Sequence, residues 1–338
     1  MTASQGFSKK TPLRVLFAGT PEIAVFSLDA LIVASSPQPF AVVGVLTNPD
    51  RPAGRRRKLT PPPVKVRAEE AGLPVLQPER LDGDARTAVA ALKPDILVSV
   101  AYGRIFGPRF MALFPRGGVN VHPSLLPLHR GPSPLQAAIL AGDTETGVTI
   151  QEIAPKMDTG AVLLQETVPL RPDTTVSVLH DDLGRRGATL LVQALTSIAD
   201  GTVQPREQDH DTATYCTRIT KEDGRITWAE SAIELDRMVR AYTPWPGVRC
   251  RWKDSYLQIT AATPVYSQEL TGHGQPAQPA GPAQPAGTVV GVDNRRGILV
   301  QTVDGLLAVS RLKPEARREI DFLSFLNGNQ DFVGTVLK

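Results

Sequence analysis

The early part of the chain switches repeatedly between two hydrophobic periods, and that alternation leaves few architectures open. Residues 13–19 (LRVLFAG) and 40–48 (FAVVGVLTN) are β-branched apolar runs, whereas 21–35 (PEIAVFSLDALIVAS) spaces its apolar residues as a helix does. Together they make a βαβ unit. Residues 64–72 (VKVRAEEAG) then read as a helix stopped by Gly72, 73–78 (LPVLQP) as a short strand, 85–93 (ARTAVAALK) as another helix and 95–103 (DILVSVAYG) as a buried strand. Such a chain builds an α/β domain, a doubly wound parallel sheet with helices on both faces. Ligands in these sheets bind beyond the carboxyl ends of the strands. The turn after the first strand, AGTPE, has one glycine and not the full dinucleotide fingerprint, so a nicotinamide site is not expected.

At 338 residues the chain exceeds what one core usually serves, and its texture changes near residue 205. Residues 214–228 read as a linker entering a new unit and 232–242 (AIELDRMVRAY) as a helix. Short strands follow at GTVVGV, GILVQTV and GLLAVSRL, separated by turn signals, the pattern of a small β-barrel. The division is therefore 1–205, a linker at 206–222, and 223–338. An insertion at about 268–287 repeats a QPA triplet and reads as a spacer between strands.

With 41% hydrophobic and 21% charged residues the composition is that of a globular protein. The run VLFA after Lys9, Lys10 and Arg14 is too short for a signal peptide or a membrane span, so a cytoplasmic protein is expected. Cys216 and Cys250 support neither a disulfide framework nor a zinc site, and no metal is expected. The net charge is only +3, yet Arg51, Arg55, Arg56, Arg57, Lys58, Lys65 and Arg67 lie in one stretch without an acidic residue. That Gly- and Pro-flanked run suits contact with phosphates, or it is simply a solvated charged loop.

One further stretch concentrates chemistry. In residues 117–124 (GGVNVHPS) a short strand ends in polar residues, so Asn120 and His122, two apart, face one side near its carboxyl end. Residues 146–153 form another strand, and the turn at 154–163 places Asp158 on a loop within reach of that imidazole. An amide donor for an oxyanion, an imidazole and an orienting carboxylate suit acyl transfer to an amine. Ser124 lacks a strand-turn-helix elbow, which favours direct transfer over a covalent intermediate. Spacing alone equally allows a buried Asn and His that merely hold a proline-rich loop.

NVHPSLLPLHRGPSPLQ, GDTETGVTI and MDTGAVL together resemble the folate-dependent formyltransferase family. The resemblance implies that Asn120, His122 and Asp158 are catalytic, that 10-formyltetrahydrofolate is the donor, and that Ser124, Leu125, Leu126 and Pro127 form the folate-binding signature. Leu128-His129 replaces the family's more usual basic-aromatic pair. FAGTPEIAVFSL, NPDRPAGRRRKLTPPPVK and AYTPWPGV further resemble those members whose acceptor is initiator methionyl-tRNA. This implies a Rossmann-like catalytic domain, a linker and a C-terminal OB-type barrel that binds tRNA, in a monomer. It also implies that Arg55, with Arg56, Arg57 and Lys58, meets the acceptor arm. The competing expectations are a formyltransferase for a nucleotide-linked amino sugar or another small amine, and a non-catalytic RNA-binding protein.

Overall fold

The alternation read from residues 13–103 is realised in a computed structural model that describes residues 12–34, 39–54, 57–265 and 284–338. Arg55 and Arg56 lie outside the described residues, as does most of the QPA insertion. Two units are distinct: Met1–Pro134 with Glu145–Pro169 and His180–Thr217, and Leu135–Thr144 with Leu170–Leu179 and Arg218–Lys338.

The first unit begins with β1 (Leu13–Gly19), α1 (Glu22–Ala34) and β2 (Phe40–Leu46). A hairpin of β3 (Arg51–Ala53) and β4 (Lys58–Thr60) precedes α2 (Pro63–Glu70), β5 (Val75–Leu76), α3 (Gly83–Ala91), β6 (Ile96–Val100), α4 (Pro108–Met111) and β7 (Gly118–His122). After α5 (Pro134–Ala141) come β8 (Glu145–Glu152), β9 (Val162–Pro169) and α6 (Val176–Asp200). The sheet order is β5-β2-β1-β6-β7-β8-β9. Its strands are parallel as far as β7, and β8 then runs antiparallel to both of its neighbours, β7 and β9, which makes the sheet mixed.

Both faces of this sheet are buried, and successive residues point to opposite faces. Val15, Phe17, Val98, Val119, Val121 and Ile150 pack into one core with Leu28, Leu31, Leu191 and Leu195 of α1 and α6. Leu16, Ala18 and Leu97 pack into the other with Val89 of α3 and Phe110 of α4. This is why the central strands read as continuous apolar runs. The chain leaves β1 toward β2 and β5 and returns on its other side at β6, so the order reverses between β1 and β6. The crevice predicted for such sheets opens there. At its floor the Asn48 amide donates to Thr20 Oγ1 and to the Tyr102 carbonyl, both at 2.9 Å.

The second unit carries α7 (Ala232–Tyr242), started by a Ser231/Glu234 capping box. It continues through β10 (Val248–Trp252), β11 (Ser255–Val265), β12 (Val289–Asp293), β13 (Gly297–Gln301), β14 (Leu306–Pro314), β15 (Ile320–Asp321) and α8 (Phe322–Asn327). The antiparallel order is β10-β11-β14-β13-β12, with β15 on β14. The chain's end joins the two outer strands. Leu337 N–H donates to Gly287 O and Lys338 N–H to Arg251 O, each at 2.9 Å, while Thr288 bridges Val336. Unpaired edges are thereby covered in the manner of the expected barrel. Among the described residues no helix is long and apolar enough to cross a membrane.

Candidate active site

Strand β7 sets the site by its alternation. Val119 and Val121 enter the α1/α6 core, so Asn120 and His122 must face the other side of the sheet. Across the strand pair Asn120 lies opposite Gln151 and His122 opposite Thr149. Cross-strand partners share a face, which brings Gln151 into the site. Asn120 is half-buried, and among the described residues its side-chain amide has no hydrogen-bond partner. Among the described residues it is a free donor at this strand end.

The chain then turns through the SLLP stretch, whose polar groups are used internally. Ser124 Oγ donates to Leu128 O at 2.6 Å, and Thr149 Oγ1 donates to Ser124 O at 2.7 Å. Leu126 N–H donates to Thr149 Oγ1 at 3.2 Å, and Gln165 Nε2 to Leu126 O at 3.0 Å. Ser124 and Leu126 are buried, whereas Leu125 and Pro127 are partly exposed. Ser124 is thus a locked turn residue and no nucleophile.

Asp158 and His122 meet as the spacing predicts. Asp158 Oδ1 lies 3.6 Å from His122 Nδ1, an ion-pair separation longer than a hydrogen bond. On its other side His122 Nε2 lies 3.0 Å from the carbonyl of His129. Both ring nitrogens therefore face oxygens, Nε2 within hydrogen-bond distance and Nδ1 beyond it. At the position where the sequence departs from the family pattern, it is the His129 main chain that touches the His122 ring. Asp158 Oδ2 accepts from Gly131 N–H at 2.8 Å and Oδ1 from Gln151 Nε2 at 3.0 Å.

Behind Asp158 lies a stretch that composition alone marks as connecting chain. Arg206 pairs with Val162, and Tyr215 bridges Arg130, so residues 206–217 run along the site within the first unit. Gln208, Tyr215 and Cys216 enter the site from here. Sequence reasoning missed Gln151, Gln208 and Arg130. Gln151 was recoverable from register, because alternation from Val148 and Ile150 puts it on the face of Asn120. Cys216 Sγ accepts from Ser133 N–H at 3.4 Å, and burial is the main reason its thiol is pushed up from the ordinary value. A thiol kept protonated at neutral pH is a poor nucleophile.

The basic run forms a hairpin, with Arg51 opposite Thr60 and Ala53 opposite Lys58. Its tip turns at Gly54 and Arg57, both with positive φ, and Arg57 and Lys58 are exposed. The structure thus presents two of the four predicted phosphate-binding side chains to solvent; Arg55 and Arg56 are outside the described residues. Among those residues no group of three or more His, Cys, Asp or Glu could hold a metal ion.

Residues 13–195 match the formyl transferase family and residues 218–330 its C-terminal domain. The methionyl-tRNA formyltransferase of Chloroflexus aggregans is 44% identical over 317 residues, covering 94% of this chain and 97% of that protein. The chain belongs to the methionyl-tRNA formyltransferase family. More distant solved proteins share the fold. An N-formyltransferase from Helicobacter canadensis, solved with folinic acid and dTDP-3-aminofucose, superposes with a TM-score of 0.61 at 18% identity over 88% of this chain and 99% of that one. HypX from Aquifex aeolicus, solved with tetrahydrofolic acid, gives 0.58 at 17% identity; 95% of this chain covers 48% of HypX.

Proposed function

We propose that this methionyl-tRNA formyltransferase moves the formyl group of 10-formyltetrahydrofolate to the amino group of initiator methionyl-tRNA, for translation initiation. The observation that carries this reading is the 44% identity over 94% of the chain to a methionyl-tRNA formyltransferase, in a chain that also brings Asp158 beside Asn120 and His122 at the end of β7. The amine nitrogen attacks the formyl carbon, the carbonyl oxygen becomes an oxyanion, and the bond from that carbon to the folate nitrogen breaks. The ammonium proton passes to the departing nitrogen, so no co-reactant is needed. Asn120, with its unengaged amide, donates to the oxyanion. His122 donates beside it once its Nε2 exchanges the His129 carbonyl for substrate, and Asp158 holds the ring in place. Locked Ser124 and protonated Cys216 support direct transfer without a covalent enzyme intermediate. Folate contact from the SLLP turn would come from Leu125, Pro127 or the main chain, since Ser124 and Leu126 are buried.

The basic hairpin supports tRNA as acceptor. In the second unit the exposed Arg251 lies 6.0 Å from the ring centroid of the exposed Tyr256, a cationic and aromatic pair of the kind that takes nucleic acid. The deciding assay is labelled formyl transfer to methionyl-tRNA beside free methionine and an amino-sugar nucleotide. Transfer to the sugar nucleotide but not to the tRNA would reverse the assignment, and tRNA binding with no transfer would leave an RNA-binding protein.

If the hairpin tip meets phosphates, replacing Arg56 and Arg57 by Ala leaves up to two phosphates without a cation. The log-log salt slope of tRNA affinity then flattens by roughly 0.7–0.9 for each phosphate no longer neutralised. Arg55→Ala is expected to lower kcat/KM more than either neighbour, with folate affinity unchanged. An unaltered affinity and slope when Arg55, Arg56, Arg57 and Lys58 are all replaced would detach this hairpin from tRNA.

A further inference from the structure

The Asp158 carboxylate is held by a chain of side chains whose direction is fixed at both ends. Arg130, Gln208 and Gln151 are 2%, 7% and 1% exposed. Arg130 Nε and Nη2 donate to Gln208 Oε1 at 3.1 and 2.7 Å. A guanidinium has no acceptor, so the Gln208 oxygen must face it and the amide nitrogen must face away. That nitrogen donates to Gly160 O at 2.7 Å, Asp158 O at 3.0 Å and Gln151 Oε1 at 3.2 Å. With its oxygen turned to Gln208, Gln151 has its nitrogen left for Asp158 Oδ1, at 3.0 Å. A carboxylate can only accept. Flipping either amide would set oxygen against oxygen or nitrogen against donor, so a single orientation satisfies the whole chain.

The consequence falls on the catalytic pair. Asp158 sits at φ +55, in the left-handed region that Asp enters more readily than most residues. Gln208 grips its carbonyl, while Gln151 and Gly131 N–H grip its two carboxylate oxygens and leave Oδ1 turned to His122. Arg130 is anchored in turn by the Tyr215 hydroxyl at 3.0 Å and His210 Nδ1 at 2.8 Å. We infer that Arg130, Gln208 and Gln151 are positioning residues: a one-way hydrogen-bond relay from a buried cation that sets the Asp158 carboxylate against His122. The relay joins the loop after β7, strand β8 and the chain beyond α6, so it also ties residues 206–217 to catalysis. This inference rests on the formyl-transfer reading.

Gln151→Met tests it. The replacement keeps the volume and leaves Gln208 Nε2 two carbonyls, yet removes the donor to Asp158. kcat for formyl transfer to methionyl-tRNA is expected to fall by about ten- to a hundred-fold, the range seen when the outer partner of a metal-ligating side chain is removed, taken here by analogy. KM for both substrates should stay within about threefold, with only a modest loss of thermal stability from the donor that Asp158 Oδ1 no longer has. A purely structural glutamine would instead lower stability and leave kcat per folded molecule intact. Gln208→Met should lower both kcat and stability, because Arg130 and two carbonyls lose a partner. In the double variant, residues acting in series predict a kcat no more than about threefold below that of Gln208→Met alone. A Gln151→Met enzyme with kcat within about threefold of the parent, a loss confined to KM, or costs that multiply in the double variant would each overturn the relay. Gln151→Met decides alone if Gln208→Met does not fold. The parent in the same assay separates the two levels: no transfer by the parent sinks the formyl-transfer reading, whereas an active parent with an unaffected Gln151→Met sinks only the relay.

Discussion

His122→Ala is expected to lower formyl transfer by about 10²–10⁴-fold at saturating substrates, with tRNA affinity within about threefold of the parent. The ring touches the His129 carbonyl and Asp158 on the site face of β7, and neither partner belongs to the hydrophobic core. On the proposed mechanism, removing it takes away a hydrogen-bond donor beside the oxyanion and leaves the basic hairpin untouched. Asn120→Ala should cost about 10²–10³-fold, the loss typical of one oxyanion donor. Asp158→Asn is no gentle isostere in this setting. The carboxylate accepts from Gly131 N–H and Gln151 Nε2 on different oxygens, so an amide nitrogen at either place would face another donor. Its activity should therefore resemble that of Asp158→Ala. Single-turnover transfer measured with excess enzyme reads the chemical step directly, and turnover of His122→Ala within about threefold of the parent would mean that the chemistry lies elsewhere.

Much of this site is written in strand alternation, because a sheet buried on both faces makes the face of every residue a matter of parity. The strand read at 13–19 and the helix read at 232–242 coincide with β1 and α7, and parity alone puts Asn120 with His122. Helix α6 escapes such reading for a physical reason. Gly184 and Gly187 interrupt its pattern as breakers would, yet an added Cβ would come within 2.5 Å of the Phe26 ring and 2.9 Å of Val121. The glycines are there to let the helix lie close on its neighbours, a demand that no local propensity records. The basic run likewise reads as irregular because its Pro and Gly suppress any period, although Arg51 to Ala53 pair with Lys58 to Thr60. Residues 206–217 lack a period because their hydrogen bonds go to single partners and not to a ladder. Gln208 consequently looks like any exposed polar residue until Arg130 is placed beside it.

Gly131→Ala should be strongly damaging, and it tests whether the segment beyond α6 is clamped onto the loop after β7. Gly131 adopts φ +123, which disfavours any side chain, and an added Cβ would lie 2.2 Å from the Cys216 carbonyl oxygen. That oxygen belongs to a main chain fixed on both sides: Cys216 N–H donates to Arg130 O at 2.8 Å and Arg130 N–H to Thr214 O at 2.9 Å. The clash can be relieved only by moving residues 214–216 or by rotating residues 130–131. Either movement disturbs the Gly131 N–H donor to Asp158 and the Arg130 end of the relay. Overpacking and backbone strain each cost about 1–3 kcal/mol, so the first unit should lose on the order of 2–5 kcal/mol. Turnover should fall at least tenfold even under conditions where the variant remains folded. Gly72→Ala supplies the contrast, since Gly72 has φ +68 and nothing within 4 Å of an added Cβ. It suffers strain without collision and should cost only about 1 kcal/mol with normal turnover. Urea unfolding together with limited proteolysis across 206–217 reads the difference. Equal stability losses in the two variants, with activity retained in both, would show that the segment is not held against the loop and that the catalytic carboxylate takes its position from elsewhere.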